Sequence, residues 1–363
     1  MGRSPGLPAL RWKLEEEEQP GLFPDETAVD RHLGTGEYRG MEFLHVNARS
    51  IINSVPGQSR MPFRHTINAY RGCSHACVYC FARPTHAYLG LNIGSDFERR
   101  IVVKVNAVER LRAELRAPSW NGEHIAMGTN TDPYQSAEGK YHLTRRIIEE
   151  LGKAANPFSI LTKSTLVLRD LTILAEAAQR TTVRLDLSIG TLDEDVWKLT
   201  EPGTPPPRRR VEAVRRLNEA GIPCGVLVAP VLPGLSDRDG QVHEVVTACL
   251  EAGAVSVSAV PLHLRPGVRE HYLAWLRAER PDLSETYERL FQRGAYQPAT
   301  VQARLSALVA EAEAGVPGAA PQKRWLGLAG DGAAQLAPKD GPRGWRPSTR
   351  LADRDPSEQL RLL

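Results

Sequence analysis

From residue 61 onward, short apolar runs alternate with segments whose apolar residues recur at the spacing of an amphipathic helix. The apolar runs predict six β-strands, at residues 64–70, 124–128, 158–162, 183–189, 224–228 and 255–261. The amphipathic segments predict helices between them, at residues 102–116, 143–154, 166–179, 208–220 and 240–252. Strands that alternate with helices pair in parallel through right-handed crossovers. We therefore expect an α/β fold, a partial (β/α)6 barrel of the TIM type.

The sequence on either side of this alternation predicts three further parts. Residues 1–60 contain an acidic run and scattered prolines, and we interpret them as an N-terminal extension of the barrel, which covers residues 61–265. Helical patterns predict a C-terminal helical segment over residues 266–315. Residues 316–363 are rich in glycine, alanine and proline, which is typical of a flexible tail.

Composition and charge add few constraints. The 363 residues are 25% charged and 41% hydrophobic with a net charge of +3, which is typical of a soluble globular protein. A weakly basic charge permits nucleic-acid binding without requiring it. The sequence has neither an apolar run of about 18 residues nor an apolar leader, so we expect a cytoplasmic protein without a membrane partner. A reducing cytoplasm disfavours disulfides among the five cysteines.

Three cysteines lie close together directly after the first predicted strand. Cys73, Cys77 and Cys80 have the spacing CxxxCxxC, and the ends of parallel barrel strands form the face that carries chemistry. One short loop can bring three such thiolates to a metal. Because a [4Fe-4S] cluster normally takes four cysteines, three would leave one iron open. The alternative from the residues alone is a zinc site completed by His75 or His86.

The cysteine motif, with the aromatic Tyr79 before its last cysteine, resembles the CxxxCxφC signature of the radical S-adenosylmethionine superfamily. The resemblance extends over residues 61–261 and the six βα units. It implies a [4Fe-4S] cluster whose open iron binds S-adenosylmethionine, and it places Tyr79 among the residues that contact this cofactor. It also implies reductive cleavage to a 5′-deoxyadenosyl radical, with electrons from an external donor of the flavodoxin or ferredoxin type.

Polar residues after three further strands are candidate ligands of this cofactor. Members of the superfamily carry a GGE segment after the second strand that binds the methionine amine. This chain has Gly128, Thr129 and Asp132 in the equivalent place, and the resemblance implies the same role for them; a simple Asp-Pro turn is the alternative. Lys163 after the third strand matches a lysine that binds the methionine carboxylate, and Ser188 in the fourth matches a serine that contacts the cofactor.

The wider sequence, including TINAYRGC, YCFARPTH and TDPYQ, is similar to bacterial relatives of spore photoproduct lyase that are labelled "DNA repair photolyase". This similarity implies a nucleobase in DNA or RNA as the candidate substrate. Photoproduct lyases carry a hydrogen-donor cysteine after the second strand, where this chain has Thr129, Asn130 and Thr131. Cys224 and Cys249 lie in apolar runs typical of core packing. We therefore do not expect thymine-dimer reversal by the known route.

Two other groups of polar residues are candidates for substrate contacts. Arg208, Arg209 and Arg210 begin a predicted helix, where they form either a basic patch or a solvated helix end. His263 and Arg265 follow the sixth strand. The run Arg208–Arg210 and the weak positive charge motivate the alternative function, a non-catalytic zinc or iron-sulfur protein that binds nucleic acid through phosphate contacts.

Overall fold

The computed structural model describes residues 29–56 and 61–316, so the acidic run at residues 15–18 and the predicted tail from residue 317 lie outside the described residues. The strands in the described ranges are β1 (Asp30–Leu33), β2 (Glu42–Val46), β3 (Ile52–Ser54), β4 (His65–Ile67), β5 (Tyr70–Arg71), β6 (Arg100–Lys104), β7 (Ile125–Met127), β8 (Phe158–Thr162), β9 (Val183–Ser188), β10 (Cys224–Val231) and β11 (Val257–Pro261). The α-helices there are α1 (Ser95–Arg99), α2 (Ala107–Leu115), α3 (Ser136–Tyr141), α4 (Leu143–Lys153), α5 (Leu171–Ala178), α6 (Glu194–Thr200), α7 (Pro207–Glu219), α8 (Gln241–Glu251), α9 (Val268–Glu279), α10 (Ser284–Leu290) and α11 (Ala299–Gly315). Short 3-10 helices cover Gly36–Tyr38, Arg83–Leu89, Thr165–Asp170 and Pro281–Leu283.

Six parallel strands form the barrel sheet. The strand order of this sheet is β11-β10-β9-β8-β7-β4-β3, and all neighbours from β4 to β11 are parallel. These six strands coincide with the six apolar runs of the sequence, and helices connect them in the predicted alternation. Strand residues such as Ile160 and Leu185 are 0% exposed and belong to the main apolar core. The predicted partial (β/α)6 barrel is confirmed.

A second sheet has the strand order β1-β2-β6-β5. The sequence pattern predicts a helix over residues 102–116, but residues 102–104 belong to strand β6 and helix α2 begins only at Ala107. This part of the prediction is wrong because the β-branched run at residues 101–103 favours an extended backbone. The run pairs in parallel with β2 and antiparallel with β5.

The N-terminal residues take part in both sheets. Strand β2 pairs with β6 in the four-stranded sheet, and β3 pairs antiparallel with β4 at the edge of the barrel sheet. These contacts tie described residues of the predicted extension to the barrel. The division into residues 1–60, 61–265, 266–315 and 316–363 stays a prediction.

The C-terminal helices build a second, smaller apolar core against one side of the barrel. Val268, Tyr272 and Leu276 of α9 are at most 1% exposed and share this core with Cys77 and Tyr79. Helix α11 packs instead on α8 and β11. Helices α9 and α10 therefore pack directly against the segment that carries the three cysteines. Within the described ranges, no helix is long and apolar enough to cross a membrane.

Candidate cluster and cofactor site

The three motif cysteines lie in one loop that follows β5, beyond the carboxyl-terminal end of β4. Cys73 and Cys77 are each 6% exposed, Cys80 is partly exposed, and all three are free thiols. Gly72 allows the chain to enter this loop, because its φ is +80° and a Cβ there would lie 2.8 Å from the carbonyl oxygen of Phe97. Glycine tolerates both the positive φ and the close approach.

A buried arginine fixes the backbone between the cysteines. Arg83 is 0% exposed, and its Nε and Nη2 donate to the carbonyl oxygen of Cys77 at 3.0 and 2.9 Å. Nη2 also donates to the carbonyl oxygen of Ala76 at 3.1 Å and pairs with Glu98 at 2.6 Å. The sequence patterns do not single out Arg83, although its position just after Cys80 was a signal that it shapes the loop.

The segment after β7 holds the beginning of the cysteine loop. Thr131 Oγ1 and Gln135 Nε2 donate to the carbonyl oxygen of Gly72 at 2.6 and 2.9 Å. Gln135 Oε1 accepts from the backbone amide of Ser74 at 3.0 Å. The loop is therefore held by side chains from a second segment, which restricts where its thiols can point.

The three thiols suit an iron-sulfur cluster better than a closed zinc shell. In the described residues, their sulfurs do not all lie within 4.8 Å of one another, with or without a histidine nitrogen. A tetrahedral zinc site needs sulfur–sulfur distances of about 3.8 Å, whereas thiolates on separate irons of a cluster stay farther apart. Burial raises the pKa of the Cys77 thiol to about 12 and also raises those of Cys73 and Cys80. Metal binding must therefore displace their protons.

The two histidines considered as zinc ligands have partners in the protein. His75 Nδ1 lies 3.3 Å from Asp132 Oδ2, and His86 Nε2 donates to the carbonyl oxygen of Arg100 at 3.0 Å. The two histidines are 4% and 0% exposed. Both rings are thus fixed within the framework around the loop, and the geometry does not support a Cys₃His zinc site.

Asp132, the predicted ligand of the methionine amine, is surrounded by donors of the chain. Its Oδ1 accepts from the Tyr134 amide at 2.9 Å and from Thr162 Oγ1 at 2.6 Å, and its Oδ2 accepts from the Lys163 amide at 2.7 Å. Burial raises the pKa of Asp132, but His75 and these hydrogen bonds outweigh that effect and lower it overall. The carboxylate therefore links the segments after β7 and β8 to the cysteine loop.

Gly128 and Thr129 lie just before this carboxylate, at the end of β7. Gly128 has φ +93°, and a Cβ there would collide with the carbonyl oxygen of Leu161. Thr129 Oγ1 hydrogen bonds with the side chain of Asn68 at 3.2 Å. The roles of Gly128, Thr129 and Asp132 in binding an ammonium group stay predictions.

Lys163, Ser188 and Tyr79, all predicted to contact the cofactor, lie together beside the cysteine loop. Lys163 Nζ donates to Ser188 Oγ at 2.7 Å and to the carbonyl oxygen of Ala229 at 3.3 Å. The same Nζ lies 5.6 Å from the centroid of the Tyr79 ring. Strands β8 and β9 therefore deliver a cation and a hydroxyl to the place where the motif aromatic is buried.

A buried glutamate that the sequence patterns do not reveal completes this group. Glu201 is 4% exposed, and its Oε1 accepts from Lys163 Nζ at 3.0 Å and from the Tyr79 hydroxyl. Its Oε2 pairs with Arg210 Nη2 at 2.6 Å. Burial raises the pKa of Glu201, but the positive charges of Arg210 and Lys163 outweigh burial and hold it well below its ordinary value.

The segment around Glu201 also hydrogen bonds to the backbone of the cysteine loop. The amide of Val78 donates to the carbonyl oxygen of Thr200 at 3.1 Å, and the amide of Gly203 donates to that of His75 at 3.1 Å. A Cβ at Gly203 would collide with the carbonyl oxygen of Ser74. The glycine after Pro202 in the sequence EPGT was the available signal of such a close approach.

The three consecutive arginines do not form one surface patch. Arg208 and Arg209 are exposed, whereas Arg210 is 1% exposed. Arg210 donates to the carbonyl oxygen of Ser188 at 3.0 Å and to Thr204 Oγ1 at 2.6 Å, besides its pairing with Glu201. Both interpretations, a basic patch and a solvated helix end, are wrong for Arg210, because its side chain is buried and pairs with the Glu201 carboxylate.

His263 and Arg265 both contact an exposed tyrosine. The rings of His263 and Tyr296 lie 4.8 Å apart, and Arg265 Nη2 donates to the Tyr296 hydroxyl at 2.9 Å. These residues follow β11 at the carboxyl-terminal edge of the sheet. Their contact with a substrate stays a prediction.

Comparisons with known proteins agree with this geometry. The family model described as the Radical SAM superfamily matches residues 67–246. Uncharacterized proteins of Mycobacterium tuberculosis and Mycobacterium bovis are each 42% identical to the chain over 309 residues, which is 83% of this chain and 91% of the relative. An uncharacterized protein of Methanocaldococcus jannaschii is 30% identical over 206 residues, covering 56% of this chain and 73% of the relative.

Among solved structures, the chain is similar to spore photoproduct lyase complexed with dinucleoside spore photoproduct. The TM-score is 0.56 at 18% sequence identity, and the match covers 76% of this chain and 80% of that chain. At this identity the similarity concerns the fold. The family match includes Cys73, Cys77 and Cys80 together with the strands that surround them. The chain belongs to the radical S-adenosylmethionine superfamily of enzymes.

Proposed function

We propose that this protein binds a [4Fe-4S] cluster through Cys73, Cys77 and Cys80 and uses it to cleave S-adenosylmethionine reductively. The proposal rests on the loop of three free thiols held beside Lys163 and Glu201. Proteins of the superfamily use S-adenosylmethionine with an iron-sulfur cluster. When bound, these groups supply a 5′-deoxyadenosyl radical, with an electron from an external donor of the flavodoxin or ferredoxin type.

In this proposal, Lys163 and Ser188 bind the amino-acid part of S-adenosylmethionine. The ammonium of Lys163 already donates to Ser188, Glu201 and Ala229. A ligand carboxylate must therefore replace one of these acceptors or share the ammonium with it. Glu201 keeps the ammonium and the Tyr79 hydroxyl oriented until the ligand arrives. Asp132 fixes the backbone of Lys163 from the other side.

Reconstitution tests this proposal. Anaerobic incubation with iron and sulfide should give about four irons per chain and 5′-deoxyadenosine that depends on a reductant. Cys77→Ser should lose both, whereas Cys249→Ala, at a cysteine that is 0% exposed in the main core, should keep both. A reconstituted cluster that never cleaves S-adenosylmethionine would contradict the proposal. Stoichiometric zinc with salt-sensitive nucleic-acid binding would favour the non-catalytic alternative.

We propose a nucleobase in DNA or RNA as the substrate. The similarity in fold to a lyase complexed with a dinucleoside photoproduct supports this class. Thr129 and Asn130 occupy the place after β7 where photoproduct lyases carry a donor cysteine. Cys224 and Cys249 are each 0% exposed, so the predicted core packing of these two cysteines is confirmed. A product radical must therefore take its hydrogen from a group other than a cysteine at that place.

The fate of the abstracted hydrogen tests the substrate class. The reconstituted enzyme is incubated with oligonucleotides deuterated either at the thymine methyl group or at ring and sugar positions. Deuterium in 5′-deoxyadenosine identifies the position attacked. If no nucleic acid transfers label while S-adenosylmethionine is still cleaved, the nucleobase proposal fails and the cofactor proposal stands.

A further inference from the structure

Two cationic side chains share one face of the four-stranded sheet. Strands β5 and β6 pair so that Arg71 lies opposite Val102, and cross-strand partners point to the same face. Lys104 lies two residues after Val102 and therefore on that face as well. Val102 packs there with Leu44, in an apolar cluster separate from the main core. Arg71 and Lys104 are therefore diagonal neighbours across the antiparallel strands β5 and β6, and the backbones of residues so placed lie about 7–8 Å apart.

Neither cation has an acceptor in the described parts of the chain. Lys104 is 8% exposed and Arg71 is partly exposed. Within residues 29–56 and 61–316, neither side chain has a hydrogen bond or an ion pair. The charge of Glu114 raises the pKa of Lys104 without forming an ion pair with it. The carboxylate oxygens of Glu114 instead accept from backbone amides, such as that of Ile52 at 2.8 Å.

The charge of Arg71 disfavours the charged form of Lys104. Burial lowers the pKa of Lys104 to about 7, and the charge of Arg71 lowers it further than burial alone would. A buried cation without a partner is unfavourable, and a second cation beside it adds repulsion. An anion between them would remove both costs.

We propose that Arg71 and Lys104 form a binding site for a phosphate group, either free phosphate or a phosphate of a nucleic-acid backbone. A guanidinium donates paired hydrogen bonds to phosphate oxygens, and an ammonium supplies a compact charge. Arg71 directly precedes Gly72, so the phosphate would lie beside the entrance of the cysteine loop. The nucleic-acid source rests on the proposed function, whereas the free-phosphate source does not.

Thermal unfolding of the full reconstituted chain tests the site with inorganic phosphate, at constant ionic strength against chloride. Phosphate at ten times its Kd should raise the Tm of the wild type by about 2–4 °C. Lys104→Met should lose this increase, and its own Tm without phosphate should equal or exceed that of the wild type. Arg71→Gln should weaken the phosphate effect and tests the second cation independently.

A control variant separates this site from general attraction of anions. Lys198→Met removes a lysine whose side chain is 61% exposed on α6, and it should keep the full phosphate effect. Equal phosphate effects in the wild type and Lys104→Met would overturn the proposal. A Tm of Lys104→Met well below that of the wild type would also overturn it, because it would show that Lys104 has a partner in the protein.

A second measurement distinguishes the two sources of phosphate. Fluorescence anisotropy with a short single-stranded oligonucleotide should show weaker binding to Lys104→Met and competition by phosphate if the site takes a backbone phosphate. A response to inorganic phosphate alone identifies a free phosphate group, and failure of both measurements overturns the site. Cys77→Ser should keep the phosphate effect, so the loss of the cluster and the loss of this site are distinguishable.

Discussion

Two lysines near the cysteine loop have opposite surroundings. The side chain of Lys163 is 14% exposed and donates to Ser188, Glu201 and Ala229. Lys104 is 8% exposed and has no acceptor in the described residues. Similar burial therefore leads to a paired charge in one place and an unpaired one in the other. The described residues therefore supply a counter-charge at the candidate cofactor site and none for Lys104 on the four-stranded sheet.

The counter-charge at Lys163 comes from a group that serves two cations. Glu201 pairs with Lys163 at 3.0 Å and with Arg210 at 2.6 Å, and all three side chains are largely buried. A buried ion pair offsets the cost of desolvation only while each member keeps its partners. Removing the shared carboxylate should therefore affect folding more than removing any single cation.

The largest effect is expected from Glu201→Ala. This change leaves Lys163 and Arg210 without their counter-charge and should lower the free energy of unfolding by about 3–5 kcal/mol, measured by urea denaturation of the full chain. Glu194→Ala is the control, because Glu194 on α6 is 59% exposed and should change stability by less than about 0.5 kcal/mol. Equal losses in the two variants would show that Glu201 does not support buried cations.

A smaller loss is expected from Lys163→Met, because Glu201 keeps its contact with Arg210. The free energy of unfolding should fall by about 1–3 kcal/mol, whereas binding of S-adenosylmethionine should weaken by tenfold or more if Lys163 holds its carboxylate. Equilibrium binding to the reconstituted enzyme measures the second effect. Unchanged affinity together with reduced stability would assign Lys163 a structural role only.

The sequence predicts one half of this group and not the other. Lys163 and Ser188 are recognisable because they match residues of the family near the ends of predicted strands, and Tyr79 because it lies inside the cysteine motif. Glu201 is separated from Tyr79 by 122 positions along the chain, and no periodicity or motif relates the two. Long-range pairing of buried charges depends on how α6 and α7 pack, which local patterns do not contain.

The surroundings of Lys104 could not be predicted for a different reason. The pattern merges residues 102–116 into one helix, although β6 extends to Lys104 and α2 begins at Ala107. In a surface helix, Lys104 would be an ordinary solvated lysine. Only the pairing of β6 with β5, which brings Arg71 opposite Val102, reveals that two cations share a face.

The pH dependence of stability tests whether Lys104 is unpaired. Burial and Arg71 lower its pKa from the ordinary value of 10.5 to about 7. Between pH 7 and 10.5 the Lys104 side chain is protonated in the unfolded chain and deprotonated in the folded chain, so the free energy of unfolding rises with pH. Below about pH 7 the folded chain must bury the charged ammonium, and the full cost of burying that charge applies. In phosphate-free buffer, Lys104→Met should be more stable than the wild type by about 1–3 kcal/mol at low pH. A difference in unfolding free energy that stays constant up to about pH 10 would contradict this.

The smallest effect is expected from Arg71→Gln, which removes the repulsion but not the burial. Because burial is the larger cause of the shift, the pKa of Lys104 should rise above about 7 without reaching its ordinary value, and stability should change by less than about 1 kcal/mol. NMR titration of the lysine side chain in phosphate-free buffer measures this pKa directly. Arg209→Gln, at an exposed position on α7, should leave it unchanged. If Arg71→Gln also leaves it unchanged, the two cations are too far apart to hold one phosphate between them.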